Sequence, residues 1–373
     1  MSRNGRAGQL DARIEQITAR AFTVPTDAPE ADGTFSWDST TIVVVEATSA
    51  GCKGLGYSYT AGSAAALIEE LLSESLKGCS ALSPPAAWEA MRQTVRNVGY
   101  PGLVAGAISA VDIALWDLKA RLLEVPLSIL LGQVRDHVPV YGSGGFTSYS
   151  AAQMERQLDG WVKDGITMVK IKVGSEPDRD PERVRHARSV IGNDVSLFVD
   201  ANGAYSRKQA LELAERFATD AGVCWFEEPV SSDDLEGLRL LRDRVPSGIN
   251  IAAGEYGYGL FYFRRMLDAG AVDVLQADVT RCGGITELLR VDALCEARPI
   301  RFSAHTSPAV HAHVGAALVA LEHVEYFHDH ARIEGLLFDG VPALRGGELW
   351  PAPDQPGMGL TVREDEAARF KQR

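Results

Sequence analysis

The sequence predicts an α/β chain in which a closed parallel barrel of βα units follows an antiparallel β-meander. Three observations predict it. From about residue 138, short apolar strands alternate with helical stretches. No Gly-rich nucleotide loop follows the first of those strands, which disfavours a doubly wound open sheet. Most of the strands also finish in an ionisable residue, at intervals of about one βα unit.

In chain order, residues 1–12 are polar and lack the apolar core of a signal peptide, so they read as a flexible tail. "TIVVVEAT" (41–48) and "GLGYSYT" (54–60) are β-rich and joined by the turn "SAGCK", as in a hairpin. Before them, "VPTDAPEADGTFSWDST" (24–40) is rich in Pro, Asp and Gly and reads as a loop too long to be an idle connector. "SAAALIEELLSESLKG" (63–78) is a helix closing on Lys-Gly. "ISAVDIALWDLKARLL" (108–123) sets Ile108, Val111, Leu115 and Leu118 on one helical face. Eight strands follow, at 138–142, 168–172, 196–200, 223–227, 250–255, 271–276, 300–305 and 323–327, with helices such as 206–220 between them. The turn-rich "GGELWPAPDQPGMGL" (346–360) is expected to fold back on the N-terminal part.

Composition bounds the function. Of 373 residues, 46% are hydrophobic and 23% charged, as in an ordinary globular protein. The net charge of −13, with no basic block, argues against nucleic acid as the main partner. Five scattered cysteines without a CxxC read as reduced thiols in a cytoplasmic protein. The most apolar stretch is interrupted by Asp112 and Asp117, so no membrane span is expected.

The strand ends carry the chemistry. Lys170 and Lys172 share a face of their strand, and Asp200, Glu227, Glu255, Asp278, His305 and Glu325 follow at spacings of 28, 27, 28, 23, 27 and 20 residues from Lys172. Singly, each has a structural explanation: a lysine-studded edge strand, a helix cap, a surface pair, a satisfied core histidine. A parallel barrel brings all of them to one mouth, where active sites are built. Asp200, Glu227 and Glu255 lie on three consecutive strands and would repel one another unless a cation sat between them. Oxygen-only donors suit a hard ion such as Mg²⁺. The lysine pair then makes sense as one base and one charged holder of a substrate carboxylate, with an Asp278–His305 dyad as a second base opposite. Two bases across a metal suit removal of a proton next to a carboxylate, giving a metal-stabilised enediolate. His311 and His313 diverge by about 200° on a helix and read as structural.

The ordered set "KIK" (170–172), "VDAN" (199–202), "FEEP" (226–229), "GE" (254–255), "QADVTRCGGIT" (276–286) and "SAH" (303–305) resembles the enolase superfamily, in its mandelate racemase subgroup. "AVDIALWDLKA" (110–120) and "PLSILLG" (126–132) resemble that family's entry into its barrel. The resemblance implies a (β/α)7β modified TIM barrel at 136–335, an α+β capping domain at 13–135, and a C-terminal segment, 336–373, returning to the cap. It implies one Mg²⁺ on Asp200, Glu227 and Glu255, with Glu228 a neighbour. Lys172 and Asp278–His305 become the opposed bases, and Lys170 the carboxylate holder. Asn202 and Glu325 would bond the substrate, Glu325 by giving a proton to the enediolate. Loop 24–40 would close over the substrate, with Trp37 and His328 as further contacts. The expected reaction is dehydration of a sugar acid to a 2-keto-3-deoxy acid; racemisation or epimerisation of a 2-hydroxy acid is the alternative, and a non-catalytic scaffold the remote one. A homo-oligomer, dimer to octamer, is also implied.

Overall fold

Strand β2 (Ser36–Ser49) shows why the meander forms. Along "IVVVEA" successive side chains alternate faces, and both faces are covered. Val43, Val45 and Ala47 pack against helices of the cap, while Ile42 and Val44 join the larger core that continues into the barrel. β2 pairs antiparallel with β1 (Gln16–Ala31) and with β3 (Cys52–Tyr59), the latter through a tight turn at Ala50 and Gly51, both at positive φ. Residues 12–372 are described in this computed structural model; of the expected tail, 1–12, all but Ala12 lies outside them.

The stretch 24–40, expected to be a loop, is instead the outer half of the β1–β2 hairpin. Its prolines are tolerated because β1 is an edge of its sheet and the register shifts between Pro25 and Glu30. At the tip, Asp32 Oδ1 accepts the backbone N–H groups of Thr34 and Phe35 at 2.6 and 2.7 Å.

The first cap helix runs Ser63–Leu76 with one π-helical turn at Ile68–Leu72. The second long helix, Leu103–Leu122, is buried nearly all round, not on one face: Ile108, Val111, Leu115 and Leu118 meet the cap core, and Ile113, Trp116 and Ala120 meet the other. It lies so close to β3 that a Cβ on Gly56 would sit 2.2 Å from the Ala110 carbonyl oxygen.

Two buried aspartates fasten this helix. Asp112 accepts the Thr286 N–H and hydroxyl at 2.8 and 2.6 Å. Asp117 accepts the Leu55 and Met358 N–H groups and the Arg121 guanidinium at 2.8, 2.6 and 2.7 Å, joining sheet, helix and C-terminal segment. Asp117→Ala leaves two backbone donors and a cation without their acceptor, and we expect a loss of about 3 kcal/mol. Thermal unfolding checks it: a midpoint within 1 °C of wild type would remove Asp117 from this role.

Eight parallel strands close the barrel: β4 (Val138–Gly144), β5 (Met168–Lys172), β6 (Ser196–Asp200), β7 (Val223–Glu227), β8 (Asn250–Ala253), β9 (Val274–Ala277), β10 (Arg301–Ala304) and β11 (Leu321–Phe327), with β11 pairing back to β4. Inside, Tyr141, Phe198 and Trp225 plug the bore, the last two stacked at 5.1 Å. After β11 the chain enters the helix His328–Leu337 beneath the cap sheet, where Tyr57 donates to Glu334 at 2.5 Å. The C-terminal residues run along β1, the Thr23 N–H reaching Phe370 O at 2.8 Å and the Gln372 N–H reaching Ala21 O at 2.9 Å. No described helix is long and apolar enough to cross a membrane.

Candidate active site

The C-terminal ends of β5 to β11 converge under the hairpin. Lys172, Asp200 and Glu227 stand in one row across β5, β6 and β7, because the registers pair Lys172 with Asp200 and Asp200 with Glu227. One oxygen of each of Asp200, Glu227 and Glu255 lies within 4.8 Å of the others, and all three residues are buried. Glu228, at positive φ beside them, has an oxygen that accepts no hydrogen bond among the described residues. Burial, with Glu255 and Asp200 nearby, pushes its carboxyl well above the ordinary range. Four carboxylates thus share one pocket of excess negative charge, and an all-oxygen donor set of this kind fits a hard dication such as Mg²⁺.

The side chains around them show what those charges do. Lys172 Nζ lies 2.6 Å from Asp200 Oδ2. Burial, the largest influence, and Lys170 lower its pKa, but Asp200, Glu255 and Glu325 together outweigh them and raise it. The expected neutral lysine is therefore not seen while Asp200 is its partner. Lys170 is fully buried, 2.8 Å from both Glu227 and Glu325 and 3.2 Å from Asp200, over the Tyr141 ring. It does not line the cavity of this structure, where it is a counter-ion to Glu227, Glu325 and Asp200.

Opposite, His305 Nδ1 meets Asp278 at 2.9 Å and Nε2 faces Glu255 at 3.0 Å. Burial lowers the imidazole pKa, but Glu255, Glu325 and Asp278 outweigh it and bring it to about 9. Asp278 is itself pinned by the Thr280 N–H at 2.7 Å and the Thr306 hydroxyl at 3.1 Å. Glu325 accepts the Ser143 hydroxyl at 2.5 Å and pairs with Lys170. Burial raises its pKa, yet Lys170, His305 and Lys172 together hold it below the ordinary carboxylate range.

A cavity of about 590 Å³ opens above, lined at its floor by Lys172, Asn202, Glu255 and His305. Trp37 is part of its lining. His328 is not: its Nε2 faces Asp27 at 2.9 Å outside the cavity, because the helix starting there turns the ring away. Arg281 and Tyr256 line it and were not anticipated; His330, in the stretch 327–332 that the sequence sets near the barrel mouth, lines it too. Arg281 and Tyr256 follow strand-end acids by three residues and one, a signal that was present.

Glu30, fully buried, accepts the Trp37 indole N–H at 2.8 Å. Burial, then Asp329, pushes its carboxyl up to about 8. A carboxyl raised in the fold contributes stability that is complete below its unfolded value near 4.5 and is lost as pH rises through about 8. Glu30→Gln keeps the indole bond and cannot ionise. We expect wild type to lose thermal stability relative to this variant between pH 5 and pH 9; parallel midpoints over that range would refute it.

These features define a metal-assisted acid–base barrel with a lid. Family models agree along the chain: residues 16–132 match the mandelate racemase / muconate lactonizing enzyme N-terminal domain, and 153–366 the enolase C-terminal domain-like model. The chain belongs to the mandelate racemase / muconate lactonizing enzyme family of the enolase superfamily. It is 32% identical to 3,6-anhydro-alpha-L-galactonate cycloisomerase of Streptomyces coelicolor, over 96% of this chain and 99% of that one. A mandelate racemase/muconate lactonizing enzyme-like protein from Rubrobacter xylanophilus superposes with a TM-score of 0.95 at 57% identity, covering 96% and 100% of the two chains. L-talarate/galactarate dehydratase from Salmonella typhimurium LT2, liganded with Mg and L-lyxarohydroxamate, gives 0.89 at 28% identity, covering 98% and 95%.

Proposed function

We propose that this protein removes the α-proton of a carboxylate substrate and dehydrates a sugar acid to a 2-keto-3-deoxy acid. The observation that carries it is the opposed pair: Lys172 and His305 reach the same carboxylate cluster from two sides, at 2.6 Å from Asp200 and 3.0 Å from Glu255. Asp200, Glu227 and Glu255 would hold Mg²⁺, which supplies a Lewis acid for the substrate carboxylate. Lys172 takes the α-proton as the neutral amine, a form that its burial and the Lys170 ammonium favour. His305, its Nδ1 held by Asp278, gives a proton from Nε2 to the departing β-hydroxyl. That C–O bond breaks, water leaves, and the enol returns to the 2-keto form. Asn202 Oδ1, unpaired among the described residues, and Glu325 face the same space.

Racemisation or epimerisation uses the same two bases. Dehydration is favoured by the polar wall of Ser39, Thr40, Thr41 and Thr60. The Ser39 and Thr40 hydroxyls donate to Asp38 and Asp329 and Thr41 pairs with Thr23, and their oxygens keep lone pairs that a polyol can use. The scattered free thiols support a cytoplasmic setting, and a homo-oligomer is the expected state. A library of sugar acids and 2-hydroxy acids, with Mg²⁺ in deuterated solvent, tests the reading. We expect α-proton exchange and 2-keto-3-deoxy products; racemisation of an aryl hydroxy acid with no such product would overturn the dehydratase assignment.

A further inference from the structure

The cavity distributes its charges unevenly. Among the described residues, the cations that line it, Lys172, Arg281 and His305, all stand at the strand-end floor. Each already faces carboxylates: Lys172 at 2.6 Å from Asp200, Arg281 at 3.5 Å from Asp278 and 3.9 Å from Glu255, and His305 between Asp278 and Glu255. His330 adds no charge. Its ring stacks on Tyr59 at 3.3 Å between centroids, and its Nδ1 receives the Ser307 N–H, so that nitrogen is an acceptor. Arg332, on the same helix, does not line the cavity; it donates to Pro25 O and to Asp329.

The hairpin side is built differently. Phe35 stacks on Trp37 at 6.1 Å, Trp37 meets Phe146 edge-on at 5.6 Å, and Phe327 meets Phe146 edge-on at 5.6 Å. Thr40 and Ser39 add neutral hydroxyls, and the one formal charge on this side of the cavity is Asp32. A carboxylate placed there would meet aromatic faces, which are electron-rich, and a second anion, with no cation to pair it. A hydroxymethyl or methyl end would meet hydroxyls and apolar surface that suit it.

We infer that the substrate is a monocarboxylate sugar acid whose far end is uncharged and rests against Phe35, Trp37 and Phe327, and that dicarboxylic sugar acids are rejected by this wall. The inference rests on the proposed α-proton chemistry and deepens it.

The test compares three acids of one configuration, repeated across configurations: an aldonate, the matching 6-deoxyaldonate and the matching aldarate. Both kcat/KM and α-proton exchange in deuterated solvent are read. We expect the aldonate and its 6-deoxy form to exchange and turn over, with the aldarate at least about 100-fold lower in kcat/KM. An aldarate that equals or exceeds the aldonate overturns this inference and leaves the proton chemistry standing. Exchange with none of the acids in any configuration overturns the chemistry and the inference together. Phe35, 68% exposed, tolerates a change of side chain, and Phe35→Arg puts a cation on the wall. The aldarate-to-aldonate ratio should then rise at least about tenfold at an unchanged melting temperature. A ratio that does not move overturns the placement of the far end against this wall.

Discussion

Lys172→Met lowers α-proton exchange by about 10³-fold, the loss expected when a positioned general base is removed. Methionine keeps the length and apolar body of the lysine stem, so β5 still packs between β4 and β6. What disappears is the amine 2.6 Å from Asp200. The variant's affinity for Mg²⁺ is expected to hold or rise, because an ammonium that competes for Asp200 has gone. Calorimetry with Mg²⁺ and exchange measured by proton resonance separate the two effects. Retention of more than a tenth of wild-type exchange would remove Lys172 from the role of base.

Glu255→Gln acts on the metal and the opposite base together. It removes the carboxylate charge from one of three converging residues, and from the face of His305 Nε2. The amide is a weaker donor for a hard cation, so Mg²⁺ affinity should fall about 10- to 100-fold, and turnover with it. Wild-type protein stripped by exhaustive chelation should likewise be inactive and recover on adding Mg²⁺. Full activity after chelation would sink the metal assignment.

Much of this site could be read from spacing, because a parallel barrel converts a period of about 27 residues into proximity. Asp200, Glu227, Glu255, Asp278 and His305 each end a strand or follow it within two residues; the first three and His305 reach the mouth, and Asp278 lies behind His305. Depth was not legible. Lys170 and Lys172 share a face, yet one step along the strand puts Lys170 beneath the carboxylates and Lys172 beside the cavity. The hairpin differs from the expected loop for a similar reason: Pro25, Asp27 and Pro29 have loop composition, but an edge strand with a register shift absorbs them, and Gly33 falls in the turn that follows. His328 and His330 stand two residues apart at the start of one helix, and only the helix orientation decides that His330 faces the cavity.

The hairpin tip is held to the barrel chiefly by its backbone. The Thr147 N–H bonds Ala31 O, the Thr147 hydroxyl bonds Asp32 O at 2.7 Å, and the Ser148 hydroxyl bonds Pro29 O at 2.7 Å. Gly33 presses so near the rim that a Cβ there would lie 2.5 Å from Ala201 O. The Trp37 ring against Phe146 and Asp27 beside His328 add side-chain contacts, but Phe35 takes no part in this fastening. Phe35 can therefore change in the course of evolution without loosening the hairpin, and the barrel's proton chemistry can be inherited unaltered while the menu of accepted acids drifts.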